Sequence, residues 1–389
     1  MPQLTEPNNL PPEPFNATYK FQNTTLRQTI RINYPATQIR LRVSNAFGTE
    51  DLPIAKIAIS RTKNDTLGLH EILSDTTEEV LFSGNPDIII PGGALAVSDP
   101  IKFPLKKAQE TITVDIYLEN GQSGGITAHP SSRTTSWLAL GDWVGEPNLK
   151  LADATSVDHW YLISAVEALL PNKVHSCVII GDSITDGRGS ETNKNNRWPD
   201  LLIPRLQKNP STSSLAILNQ AVGGNKLLSD NVGPNVLSRI DRDILAQTNV
   251  KYAIIFSGVN DIGSADTDDA SQTDIEKRLL VAYEQLVTRV HAAGIPVFGA
   301  TITPFVAPEG VDSLYSDPRR EKTRGRVNEW IRTSGVFDEV LDFDAVLRDP
   351  NNEKQLKDEF NSGDYLHPNV AGYQRLADAF PLDVFGRAY

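Results

Sequence analysis

Ser183 ends the triplet Gly181-Asp182-Ser183, which directly follows the apolar run Cys177–Ile180. A serine at a strand-to-loop junction of an α/β sheet stands at the carboxyl edge, where such sheets bind ligands. Taken alone, the same triplet can simply cap a helix. Asp364-Tyr365-Leu366-His367-Pro368 precedes a helical stretch that begins near Asn369. An Asp and a His three residues apart in a loop can act as one unit. The carboxylate orients the imidazole, and the other ring nitrogen takes a serine proton. Gly223-Gly224-Asn225 and Gly258-Val259-Asn260-Asp261 each end a further apolar run. A glycine N–H and an asparagine amide can both donate to a developing oxyanion, although each motif by itself is also an ordinary turn.

Other motifs compete. Gly121-Gln122-Ser123-Gly124-Gly125 matches the G-x-S-x-G nucleophile elbow, but that elbow needs a following helix. Ile126-Thr127-Ala128-His129-Pro130 follows instead, so a loop is expected there. The histidines His70, His129, His159, His175, His291 and His367 show no H-x-H or H-E-x-x-H spacing. His291, late in an amphipathic stretch, reads as a charge partner near a helix C-terminus. Asp182, Asp186 and Asp261 are explained by capping and turns, and no metal site is expected. Ser131–Trp137 combines Arg133, hydroxyls and the Trp137 ring, which suits a sugar or aromatic ligand as well as an ordinary strand. Ser44-Asn45-Ala46-Phe47-Gly48 is a second candidate loop of this kind.

Two kinds of periodicity must position these residues. Residues 1–20, with five prolines, read as an extended surface arm. Over 21–170 the period is two, the pattern of an antiparallel, jelly-roll-like β-sandwich. Ile39, Leu41 and Val43 alternate with polar residues, as do Ile112, Val114, Ile116 and Leu118. Further strands are expected at Ile54–Ser60, Val80–Phe82, Asp87–Ile90 and Thr134–Leu140. Over 171–389, continuous apolar runs at Cys177–Ile180, Leu215–Leu218, Tyr252–Phe256, Val297–Thr301 and Val340–Phe343 alternate with helical spacing at Trp198–Gln207, Pro234–Gln247, Asp274–Ala293 and Arg319–Thr333. Strands without alternation, interleaved with helices, make a parallel sheet covered on both faces.

Composition bounds the reading. The 389 residues carry 37 Lys+Arg against 49 Asp+Glu, a formal charge of −12, with 39% hydrophobic and 22% charged residues. These fractions exclude wholesale disorder and fibrous repeats. The acidic balance without a basic cluster argues against a nucleic-acid partner and disfavours polyanionic substrates. No apolar run reaches the roughly 20 residues of an integral membrane segment. Cys177 is the single cysteine, which excludes an internal disulfide. Sequons at Asn16, Asn23 and Asn64 lean toward a secreted, N-glycosylated protein, while residues 1–15 lack the apolar core of a signal peptide.

The four blocks fall at one predicted sheet edge in the order Ser, Gly, Asn, His. In that combination residues from about 174 to 389 resemble the SGNH, or GDSL-type, hydrolase superfamily. GDSITDGRGS carries the serine, NQAVGGNKLL the glycine, GVND the asparagine and DYLHP the histidine. The resemblance implies a flavodoxin-like three-layer α/β/α domain, here behind a β-sandwich, as in secreted two-domain GDSL-like lipases and acylhydrolases. It implies Ser183 as nucleophile, His367 as general base and Asp364 as its orienting carboxylate. The N–H groups of Ser183 and Gly224 and the Asn260 side chain would form the oxyanion hole. Gly224 is preferred to Gly223 because it lies five residues after Asn219, matching N-x-G-x-x-G. Ala221 replaces the first glycine of that pattern. Arg133, Trp137 and Asn225 are candidate substrate contacts. The implied activity is serine esterase chemistry without cofactor. The expected partner is a small-molecule or polysaccharide ester, foremost acetyl esters on carbohydrate, since a β-sandwich before such a domain is similar to the layout of some carbohydrate acetylesterases. The rival readings are a lipase or arylesterase on free esters and an inactive carbohydrate-binding protein.

Overall fold

Residues of alternating polarity build the first of two units in the computed structural model, which describes residues 3–4, 9–149 and 154–389. This unit runs to Pro171 and includes Thr192–Lys194; the second comprises Asn172–Glu191 and Asn195–Tyr389. In the first unit a six-stranded antiparallel sheet runs in the order Ala154–Val157, Ser136–Leu140, Thr24–Ile32, Glu110–Leu118, Lys56–Thr62, Ile72–Glu79. Its central pair is in register from Thr24 opposite Leu118 to Ile32 opposite Glu110. A three-stranded sheet joins Ile163–Ala168, Ile39–Ser44 and Leu95–Val97. The apolar faces share one core that includes Leu41, Val43, Ile57, Ile112, Ile116 and Leu138.

Several expectations change here. Glu110–Leu118 is buried on both faces, not half-buried, because Asp115 pairs with the buried Arg27. Arg27 Nε and Nη2 each lie 2.7 Å from an Asp115 oxygen. Ile54–Ser60 is not one strand: Leu52–Ile54 pairs with Ile88–Ile90, whereas Lys56–Thr62 pairs with Glu110–Leu118. Val80–Phe82 follows the strand Ile72–Glu79, an edge element whose polar sequence hides it. The amino-terminal segment is more than a surface arm, since Phe15 is buried in the core and Gln3–Leu4 pairs with Thr127–Ala128. Gln122 is buried and donates to Asn45 Oδ1, and the element after Gly121–Gly125 is the strand Thr127–His129, so no nucleophile elbow forms. Asn45 Nδ2 donates to the carbonyls of Glu50 and Ile90, which makes Ser44–Gly48 a hydrogen-bonded loop.

The second unit is a doubly wound α/β domain. Its five parallel strands lie in the order Leu215–Asn219, His175–Gly181, Val250–Phe256, Val297–Ala300, Glu339–Leu341. Numbered along the chain, that order is 2-1-3-4-5, the flavodoxin-like arrangement. Because crossovers between parallel strands are right-handed as a rule, such a reversal of strand order puts helices on opposite faces of the sheet. Trp198–Lys208 packs with Val370–Ala379, and Asp269–His291 packs with Pro318–Thr333. Cys177, Val178, Ile179 and Ile180 are buried, as continuous apolar strands require when both faces are covered. Burial pushes the Cys177 thiol pKa upward. The expected helix Pro234–Gln247 is instead a helical turn, Val236–Ile240, running into a π-turn at Asp241–Leu245. His291 ends its helix and lies 2.7 Å from Asp338.

Candidate active site

The strand order reverses between His175–Gly181 and Val250–Phe256, and doubly wound sheets open a crevice at that switch point. Ser183 follows the first of these strands and Asn260 follows the second. Ser183 is the first residue of a single helical turn, Ser183–Asp186, capped by Asp182, whose Oδ1 accepts from Ile184 N at 3.0 Å. The amide of a first helical residue has no intrahelical acceptor. Gly258 has φ +124 and directs the chain from the strand into the turn Val259–Ser264 that carries Asn260. A Cβ at Gly258 would stand 2.5 Å from the Tyr283 hydroxyl, so only glycine fits.

The carboxyl-terminal loop brings the remaining groups. Ser183 Oγ lies 2.7 Å from His367 Nε2, and His367 Nδ1 lies 2.6 Å from Asp364 Oδ2. Asp364 accepts at Nδ1, so Nδ1 carries the proton and Nε2 presents its lone pair to the serine. Asp364 Oδ1 also accepts from the amides of Leu366 and His367 at 3.0 and 2.8 Å. Burial alone would raise the Asp364 pKa. The His367 ring and these amides outweigh it and hold the carboxyl well below its usual range. Asn361 Oδ1 takes the amides of Gly363 and Tyr365, and the Asn369 side chain caps the final helix, so the loop is shaped by its own side chains.

The donors are set by what their neighbours consume. Gly223 N–H is taken by Asp186 Oδ2 at 2.9 Å. Gly224 N–H and Ser183 N–H have no protein acceptor among the described residues. Asn260 Nδ2 donates one proton to Asn225 O at 2.9 Å, and its second proton is left over. Asn225 itself is no substrate contact. It is fully buried, its Nδ2 donates to Pro234 O, and its Oδ1 accepts from Arg239 Nε at 3.0 Å. Arg239 is buried as well, and it also donates to Gln220 O, Gly181 O and Asp243. One side chain thereby ties the glycine block to the end of the nucleophile strand. Neither Asn225 nor Arg239 carries a sequence signal for that role.

Asp182 and Asp261 sit beneath these donors as amide acceptors. Asp261 holds the N–H groups of Leu227 and Leu228, at 2.9 to 3.1 Å. Burial pushes Asp182 up to about 7, with the charges of Asp261 and Asp186 adding, and pushes Asp261 up to about 6. Among the described residues no group of three or more His, Cys, Asp or Glu could hold a metal ion. Arg133 and Trp137 belong to the first unit. The Trp137 indole N–H is spent on Gly68 O at 2.8 Å, and its ring meets His70 edge-on. Arg133 adopts φ 51, and its carbonyl accepts from Asn193 N.

A search of curated proteins found no match. Among solved structures the chain is similar to a GDSL-like lipase from Bacteroides thetaiotaomicron VPI-5482. Identity is 15% over 55% of this chain and 88% of that one, with a TM-score of 0.38. It is also similar to a catalytic mutant of an acetylxylan esterase from Geobacillus stearothermophilus. Here identity is 22% over 55% of this chain and 95% of that one, with a TM-score of 0.39. The family model for the GDSL-like lipase/acylhydrolase family matches residues 179–375, just over half of the chain and the stretch that carries all four blocks. The chain therefore belongs to the GDSL-like lipase/acylhydrolase family, a family of hydrolases that act on acyl esters.

Proposed function

We propose that the protein is a serine esterase that cleaves small acyl esters through an acyl-enzyme. The observation that carries this reading is the hydrogen-bonded line Ser183–His367–Asp364 beside two unclaimed backbone N–H groups. In the first half-reaction His367 Nε2 takes the Ser183 proton as Oγ attacks the ester carbonyl. The tetrahedral oxyanion accepts from Ser183 N–H, Gly224 N–H and the second proton of Asn260 Nδ2. Collapse breaks the carbonyl–alkoxy bond, and the imidazolium returns its proton to the departing alcohol. Water then repeats the sequence on the acyl-enzyme, with His367 as base, and releases the acid and free Ser183. Asp364 stays ionised throughout, holding the ring and stabilising the imidazolium.

For the substrate, the reading is acetyl esters on carbohydrate, supported by the β-sandwich unit that precedes the hydrolase. A second reading, free esters with apolar acyl or aryl groups, is favoured by Leu314 and Val311, which are exposed on the segment that also carries Tyr315, a neighbour of Asn260. Wild type and Ser183→Ala would be compared on p-nitrophenyl acetate, longer p-nitrophenyl esters and acetylated xylan. Turnover of S183A at the wild-type rate overturns the serine mechanism. Preference for acyl chains beyond about eight carbons transfers the substrate assignment to the second reading. Secretion with glycans at Asn16, Asn23 and Asn64 completes the proposal; Asn23 and Asn64 are exposed. Intact mass before and after glycosidase treatment of the protein from its native host tests it.

A further inference from the structure

Tyr315 lies in the irregular segment between the strand Val297–Ala300 and the helix Pro318–Thr333. Its hydroxyl is 2.8 Å from Asn260 Oδ1. At the other end of the same amide stands Asn225 O, which can only accept, so the nitrogen of Asn260 must face it. The amide oxygen therefore faces Tyr315, and the phenol is the donor. Burial, helped by the Asp182 charge, pushes the Tyr315 pKa up to about 12 and keeps that proton in place.

The phenol is delivered by a fixed segment. Its ring lies against Gly263, where a Cβ would stand 2.3 Å from a ring carbon, and it meets Phe305 edge-on with centroids 6.3 Å apart. Arg320 Nη1 donates to Leu314 O at 3.0 Å, Ala307 N donates to Ser316 Oγ at 3.1 Å, and Asp317 caps the following helix.

We infer that Tyr315 is a positioning residue that holds the Asn260 amide with its free N–H aimed at the oxyanion, an assignment that rests on the esterase reading above. With both bonds made, the amide plane is held at its two ends. With the phenol gone, it is held only at Asn225 O and turns about that bond. A hydrogen bond to the amide oxygen also polarises the group and strengthens its N–H as a donor. The effect belongs to the transition state, because the ground-state carbonyl needs this donor far less.

The test measures kcat and KM for p-nitrophenyl acetate, and affinity for an alkylboronic acid that forms a tetrahedral adduct on serine, in Y315F, G263A, N260A and Y315F/N260A. Y315F keeps the ring and should lower kcat about tenfold with KM within twofold, and weaken the boronic acid by the same factor. G263A displaces the ring while leaving the hydroxyl on the residue, and should show the same KM-sparing loss. N260A should lower kcat about 10²-fold or more, and adding Y315F to it should cost nothing further, because Tyr315 acts through Asn260. Full kcat in Y315F, or a tenfold loss that persists in the N260A background, overturns the assignment. Turnover by S183A would instead remove the esterase reading beneath it, so the two failures are told apart.

Discussion

Asp182→Asn should make the protein more stable than wild type by an amount that grows with pH. Asp182 is 1% exposed, and its folded pKa is raised to about 7, by burial first and then by the charges of Asp261 and Asp186. In the unfolded chain it titrates near its ordinary value of about 3.9. A raised folded pKa means that the native state binds more protons between these two values, so stability falls as pH climbs through that window. At about 1.4 kcal/mol per unit, the gap of roughly three units makes the ionised carboxylate about 4 kcal/mol costlier than the neutral one. About 2 kcal/mol of that difference should develop between pH 5 and pH 7, with a plateau above pH 8. Asn keeps an acceptor oxygen for Ile184 N–H and cannot ionise, so it retains the cap while removing the pH-dependent penalty. Urea unfolding of both proteins at pH 5, 6, 7 and 8 measures the difference, and 0.5 M salt should barely change it because the group is buried. A stability difference that stays flat across this range, or that shrinks as pH rises, refutes the reasoning.

Asp364→Asn should lower kcat by about 10³-fold or more with little change in KM, because an amide nitrogen facing Nδ1 favours the wrong tautomer; steady-state kinetics on p-nitrophenyl acetate reads it. Arg239→Leu should destabilise by about 2–4 kcal/mol in urea unfolding, since it leaves the buried Asp243 with Arg242 alone, strips Gln220 O and Gly181 O of a donor and frees the Asn225 side chain. Cys177 should resist a thiol reagent in the native protein and react fully in denaturant, because it is buried with its pKa raised. Native-state labelling at the rate of a free thiol would contradict that.

Much of the hydrolase half is legible in sequence because its signals are local. A continuous apolar run, a Gly-Asp-Ser junction and a D-x-x-H loop each occupy fewer than a dozen residues, and the 2-1-3-4-5 order then brings their ends to one crevice. What escapes reading is set by distant partners. Asn225 resembles a substrate contact because it adjoins two glycines, but Arg239, fourteen residues later, claims its side chain. Tyr315 lies 55 residues from Asn260 in a segment without periodicity, so nothing short of the fold pairs them. The strand Ile72–Glu79 is an edge element with little to bury, and its sequence carries no alternation to find. Glu110–Leu118 shows alternation, but its polar face is buried because Arg27 on the neighbouring strand supplies a charge partner. The long helix begins at Asp269, five residues before the Asp274 start expected from its spacing, because the Asp268 cap extends it through a largely exposed polar turn.

The carboxylates under the site explain how open donors survive in a buried crevice. An oxyanion hole needs N–H groups that the protein leaves unpaired, and each costs free energy until substrate arrives. The chain limits that cost to a few positions by capping the neighbours. Asp182 takes Ile184 N–H, Asp186 takes Gly223 N–H, and Asp261 takes those of Leu227 and Leu228. Carboxylates this close to a developing negative charge would work against it if they were all ionised. The upward shifts of Asp182 and Asp261 soften that conflict, because a protonated carboxyl still accepts an amide proton without opposing the oxyanion. Asp364 is the opposite case: it must carry charge to stabilise an imidazolium, and its bonds to His367 depress its pKa. The same side-chain type is thus made easier to protonate beneath the oxyanion and held charged behind the base. That division follows from burial, which outweighs the amide bonds at Asp182 and Asp261, whereas at Asp364 the His367 ring and two amides outweigh burial.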